Sequence, residues 1–129
     1  MHKLLLVLVL FAAPAWAIEK CGSGTRVTCV VDGDTLWLNG EKIRMIGYDT
    51  PEPMVGICGG QREKQLAALA TGRLIELLNE NDATISRSGQ DKYGRTLATI
   101  RIGGTDVGDI LIAEGLARSW PNGTEFWCN

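Results

Sequence analysis

The chain has 129 residues, with 13 Lys and Arg against 15 Asp and Glu and a single histidine, enough for one domain around one core. With that histidine at His2, serine or cysteine nucleophiles paired with a histidine base, two-histidine ribonuclease sites and histidine-ligated zinc or iron centres are excluded. The net charge of −2 argues against a protein that coats duplex DNA through many phosphate-neutralising cations, though it leaves room for a local basic site.

Residues 1–17 read as a cleaved secretory signal peptide. His2 and Lys3 make a basic start, Leu4 to Ala17 is an apolar run broken only by Pro14, and Ala15-Trp16-Ala17 has the small-x-small pattern of a cleavage site. The run of 14 residues is shorter than the roughly 20 that span a bilayer. The expected mature protein, residues 18–129, is secreted or periplasmic, monomeric and not attached to a membrane. It retains all four cysteines, Cys21, Cys29, Cys58 and Cys128. No C-x-x-C pair occurs, so two disulfides are expected, with the three connectivities left open.

Three strands open the domain. Arg26 to Val31 is rich in β-branched residues, Thr35 to Leu38 continues after Asp32-Gly33-Asp34, and Asn39-Gly40 is a hairpin signal leading into Glu41 to Ile46. A loop from Gly47 to about Gly60 follows. Leu66, Leu69, Ala70, Leu74, Leu77 and Leu78 then recur at helical spacing, which predicts a helix over Gln61 to Leu78. Its Arg62, Glu63, Lys64, Arg73 and Glu76 read as a solvated face. Ala83 to Arg87 and Thr96 to Ile102 are the fourth and fifth strands, and Thr105 or Asp106 caps a short helix that stops at Gly115. The expected class is α+β, mainly β: an OB-fold, a five-stranded Greek-key barrel with one helix after the third strand and a short one after the fifth.

Three segments carry chemistry. Asp32 and Asp34, two apart at a strand end, project to one face and repel unless a hard cation such as calcium lies between them. Taken alone, Asp-Gly-Asp-Thr is more often a plain turn. In the second segment Arg44 is followed by Asp49, Thr50 and Glu52, where Pro51 biases Thr50 towards an extended conformation that frees its carbonyl for a ligand. The third, Asp91-Lys92-Tyr93-Gly94-Arg95, adds a second arginine at a turn.

In this order and spacing the three segments resemble the staphylococcal nuclease-like (thermonuclease) family, from about Arg26 to Arg118. The resemblance implies an OB-type barrel and calcium-dependent hydrolysis of phosphodiester bonds in single-stranded or frayed DNA and RNA, leaving 3′-phosphates. It places Asp34, Asp49 and the Thr50 carbonyl on calcium, with Asp32 close by. It makes Glu52 the carboxylate that takes a proton from the attacking water or positions it. Arg44 and Arg95 become the phosphate-holding arginines, and Lys92 and Tyr93 contacts to a terminal phosphate. Guanidinium suits that role because its fork donates two hydrogen bonds to phosphoryl oxygens and keeps its proton.

The chain departs from the family after the second helix, where Arg118-Ser119-Trp120-Pro121-Asn122 replaces an aromatic base-stacking segment. Trp120 reads either as a substitute platform or, from the usual burial of tryptophan, as core. Two other functions compete with the hydrolase: a catalytically inactive nucleic-acid-binding module on the same fold, and an exported calcium-stabilised protein. The first would be expected to lack a carboxylate or arginine, and none is missing.

Overall fold

The structure, a computed structural model, describes residues 3–7, 16–54 and 58–128. Much of the expected signal segment, including Pro14 and Ala15, lies outside the described residues. Chain order is β1 (Cys29–Asp32), β2 (Thr35–Leu38), β3 (Glu41–Met45), β4 (Tyr48–Asp49), α1 (Gly60–Glu80), β5 (Ala83–Gln90), β6 (Thr96–Ile102), β7 (Thr105–Asp106), α2 (Val107–Ala113) and β8 (Arg118–Ser119), with a final 3-10 turn at Phe126–Cys128.

The Asn39-Gly40 hairpin forms as expected. Asn39 at φ 50° and Gly40 at φ 82° both adopt the positive φ of the tight turn that matches strand twist. It sets the β2–β3 register, with Thr35 opposite Arg44 and Trp37 opposite Lys42. β3 pairs in parallel with β6, Ile43 opposite Thr96, and the long crossover that parallel pairing requires runs through β4, α1 and β5.

The expected barrel is not observed. The main sheet is six-stranded and open, in the order β1-β2-β3-β6-β5, with β7 added to β6; β4 and β8 form a separate two-stranded ribbon. The outer edge of β1 meets the N-terminal segment and not β5. The Val30 N–H donates to the Glu19 carbonyl at 2.8 Å, and the Val30 carbonyl accepts from the Cys21 N–H at 2.9 Å. A Cys21–Cys29 disulfide holds that segment against the strand. With its edge groups occupied, β1 cannot close onto β5, whose last four residues are exposed. The other two cysteines pair as Cys58–Cys128, joining the loop before α1 to the C-terminal turn.

One apolar core fills the space between sheet and helices. Ile18, Val30, Leu36, Ile43, Met45, Tyr48, Ala98 and Ile100 pack against Leu74, Leu77 and Leu78 of α1 and Val107 and Leu111 of α2. Each such leucine contributes about 1.5–3 kcal/mol when buried. α1 buries Ala70, Leu74, Leu77 and Leu78 as expected, with Leu66 half-buried; Leu69 departs, at 59% exposed, and Glu63, Ala67 and Thr71 join the buried line. Two glycines mark close approaches near the site. A Cβ on Gly33 would lie 2.6 Å from Thr50 Cγ2, and one on Gly108 would lie 2.3 Å from the Tyr48 ring.

Candidate active site

The Asp32-Gly33-Asp34 turn lies beside the loop that leaves β4, and Gly33 permits this contact. Asp34 is almost fully buried. Its Oδ2 accepts from the Thr50 N–H at 3.1 Å and the Thr50 hydroxyl at 3.2 Å, while Oδ1 accepts from the Thr35 hydroxyl at 3.0 Å. The Tyr48 hydroxyl, buried under α2, donates to the Gly33 carbonyl at 2.7 Å and fixes the turn from below.

Arg44 lies between two carboxylates, with Nη2 3.5 Å from Asp34 Oδ2 and 3.8 Å from Asp49 Oδ1. Its Nη1 donates to the Met45 carbonyl at 2.6 Å and the Tyr48 carbonyl at 3.2 Å. These backbone acceptors hold the guanidinium in place before any substrate arrives. Arg44, Asp49, Thr50 and Glu52 line one cleft of about 290 Å³. An adjoining hollow of about 340 Å³, which also includes Arg44, is lined by Lys92, Tyr93 and Arg95. Arg95 is braced by its own loop, Nε to Asp91 Oδ2 at 2.7 Å, and its guanidinium faces the Tyr93 ring at 5.5 Å.

The acidic groups repel one another in a poorly solvated place. Burial, then the charge of Asp34, pushes the Asp32 carboxyl up to about 8. Glu52 is also raised, by burial first and then by Asp34, Asp49 and Glu63. Burial raises Asp49 as well, with Arg118 opposing the shift. Clustered carboxylates whose protonation is favoured this way suit a hard cation that would replace the proton, and oxygen donors suit calcium. The carboxylates are not drawn tightly around one point. Among the described residues, the one group of three His, Cys, Asp or Glu side chains with ligand atoms within 4.8 Å of one another is Cys58, Glu125 and Cys128, whose sulfurs are joined in a disulfide.

Two residues that line the cleft were not expected from the sequence. Glu63, read as solvent-facing, is 1% exposed. Its carboxylate accepts from the N–H groups of Glu52 at 3.2 Å, Cys58 at 3.1 Å and Gly59 at 3.0 Å, anchoring the loop that carries Glu52. The available signal was an acid in the first helical turn after Gly59-Gly60, placed to reach back to free N–H groups. Arg118 pairs with Asp49 at 2.9 Å and Glu125 at 2.8 Å and donates to the Gly123 carbonyl at 2.9 Å. Trp120 lies on the cleft rim, 52% exposed, with the Arg118 guanidinium 4.9 Å from its ring; the core tryptophan is Trp127. Of the two readings of Trp120, the core one is therefore corrected.

Fold and cleft together define a small sheet-and-helix domain that sets buried and half-buried carboxylates beside fixed arginines. The staphylococcal nuclease homologue profile matches residues 42–125, most of the chain, and the protein belongs to that family. The matched span holds Arg44, Asp49, Glu52, Arg95 and Arg118, with Asp32 and Asp34 just before it. The chain is 35% identical over 103 residues to a thermonuclease of Staphylococcus intermedius, covering 76% of this chain and 60% of that protein. It is 29% identical over 125 residues to a micrococcal nuclease of Shigella flexneri, covering 88% and 66%. With the endonuclease YncB of Bacillus subtilis it shares 34% over 100 residues, covering 68% and 44%. The chain thus spans between 44% and 66% of the length of these curated relatives. No described helix is long and apolar enough to cross a membrane.

Proposed function

We propose that this protein is an exported, calcium-dependent nuclease that hydrolyses phosphodiester bonds of single-stranded or frayed DNA and RNA to 3′-phosphate products. The observation that supports this reading best is the fixed Arg44 guanidinium between Asp34 and Asp49 in the cleft that Glu52 also lines. Asp34, Asp49 and the Thr50 carbonyl would hold calcium, with Asp32 beside them. When bound, the ion supplies positive charge that offsets the phosphate and lowers the pKa of water at the site.

The chain's own residues do the rest. Glu52 takes a proton from the attacking water at a carboxylate oxygen, or orients that water in line with the phosphorus; burial and the neighbouring carboxylates raise its pKa, which makes it a stronger base than a solvated glutamate. Arg44 and Arg95 donate to the non-bridging oxygens as negative charge builds there, with Arg44 Nη1 already oriented by the Met45 and Tyr48 carbonyls. The phosphorus–O5′ bond breaks and O5′ takes up a proton from solvent, leaving a 5′-hydroxyl and a 3′-phosphate. Lys92 and Tyr93 would contact a neighbouring phosphate.

The two disulfides fit an oxidising compartment, periplasm or medium, after removal of residues 1–17. Ile18, the first residue of the proposed mature chain, is buried in the core. The test is purified protein, expected to be monomeric, on single-stranded DNA, duplex DNA and RNA, with calcium and with a chelator. Cleavage that requires calcium and leaves 3′-phosphate ends is expected; cleavage unchanged in chelator would overturn the proposal.

A further inference from the structure

The face of the sheet that carries Arg44 extends past the proposed site. On β3, Ile43 and Met45 point into the core, so Lys42 and Arg44 share the opposite face, about 7 Å apart along the strand. Trp37 is the cross-strand partner of Lys42 on that face. Beside them is a third hollow of about 400 Å³, lined by Trp37, Lys42, Tyr93, Arg95 and Glu41. The three hollows form a series. The first and second share Arg44 and Trp120, and the second and third share Tyr93 and Arg95.

The third hollow has the chemistry of a nucleotide pocket. Lys42 Nζ lies 5.9 Å from the centre of the Trp37 ring and makes no ion pair among the described residues. The one carboxylate there, Glu41, is held by Arg87 at 2.7 Å and by the Thr96 hydroxyl at 2.8 Å, so it opposes an incoming phosphate less than a free acid would. The Trp37 indole Nε1 is buried with no hydrogen-bond partner among the described residues. Tyr93, 71% exposed, stands between the second and third hollows. Aromatic rings, here half-buried Trp37 and exposed Tyr93, interleaved with cations such as Lys42 are the arrangement that tracks a single strand, with bases on the rings and phosphates on the cations.

We propose that the Trp37–Lys42 hollow is a further nucleotide subsite, holding the base and phosphate of a single-stranded polynucleotide beyond the nucleotide at Arg44 and Arg95. This rests on the nuclease reading for its substrate class. It makes the enzyme prefer strands long enough to fill all three hollows over dinucleotides.

The test is the affinity of the full chain for a fluorescein-labelled single-stranded DNA of about 12 nucleotides, measured by anisotropy in chelator across a salt series. Lys42→Ala should weaken binding about 10-fold at low salt and lower the slope of log affinity against log salt by about 0.7, one single-strand phosphate contact. Trp37→Leu should weaken binding about 10-fold with the slope unchanged, as loss of a stacking platform does. A dinucleotide should bind both variants as it binds wild type. Should Trp37→Leu fail to fold, the Lys42→Ala slope decides alone. Wild-type slope and affinity in Lys42→Ala would overturn the subsite, as would equal losses for the dinucleotide. Strand binding that follows this pattern without any calcium-dependent cleavage would instead overturn the hydrolytic reading and leave the subsite standing.

Discussion

Arg118 and Asp49 face each other across the β4–β8 ribbon, with Nε 2.9 Å from Oδ2, and the same guanidinium reaches Glu125 in the C-terminal tail. The tail is therefore part of the site. Glu125 precedes the turn that ends at Cys128, and Cys128 is bonded to Cys58 in the loop that Glu63 anchors. The strand carrying Asp49 and the loop carrying Glu52 are thus tied to one short segment.

Removing Arg118 should cost more than removing an exposed partner. The Arg118 and Asp49 side chains are 10% and 19% exposed, so Arg118→Ala leaves a poorly solvated carboxylate without its closest cation. The expected loss is about 3 kcal/mol, read as a lower urea midpoint with the m-value unchanged. Arg73→Ala, which breaks exposed pairs with Glu76 and Glu114, should cost no more than about 1 kcal/mol.

Glu63→Gln tests the loop anchor. An amide replaces a carboxylate that accepts three N–H groups, so stability should fall by about 2 kcal/mol. Hydrogen exchange at the Glu52 and Gly59 amides should accelerate, while exchange in β2 and β3 changes no more than global stability requires. Protection at Glu52 equal to wild type would show that the anchor does not hold the loop.

In calcium-free solution Asp32 sets a pH dependence. Its carboxyl titrates near 4 in the unfolded chain and at about 8 in the folded protein. A raised folded-state pKa gives stability that is fully present below pH 4 and lost as pH rises through 8. Asp32→Asn removes that loss. In chelator the variant should therefore melt higher than wild type at pH 8, by about 5 °C or more, with a smaller difference at pH 5. A constant difference at both values would contradict the shift.

What the sequence disclosed followed the range of each signal. Asp32, Asp34, Arg44, Asp49 and Glu52 occupy short segments on adjacent strands and one loop, each unremarkable alone, and it was the resemblance of their order to a known family that associated them. The Asn39-Gly40 turn and the Asp106 cap of α2 are local and appeared as expected. Arg118 was missed because Asp49 lies across the fold, and Glu63 because an acid in an amphipathic helix looks solvated until the loop before it is seen to fold back over its carboxylate. Sheet closure was misjudged for a related reason. Strand periodicity carries no information about edges, and residues 19–21 take the edge of β1.

The disulfides give an independent check on compartment. Unreduced protein treated with a thiol reagent should show no modified cysteine, and proteolytic fragments should link Cys21 to Cys29 and Cys58 to Cys128. N-terminal sequencing of exported protein should begin at Ile18. Retention of residues 1–17 would contradict the proposed processing.

The most direct test of the central claim is the single-turnover cleavage rate of single-stranded DNA by Glu52→Gln beside wild type at saturating calcium. Glu52 lines the Arg44–Asp49 cleft, and its loss should slow the chemical step by about 100-fold or more while strand affinity in chelator stays within twofold or so of wild type. A variant that cleaves at the wild-type rate would contradict the assignment of this cleft as the catalytic site.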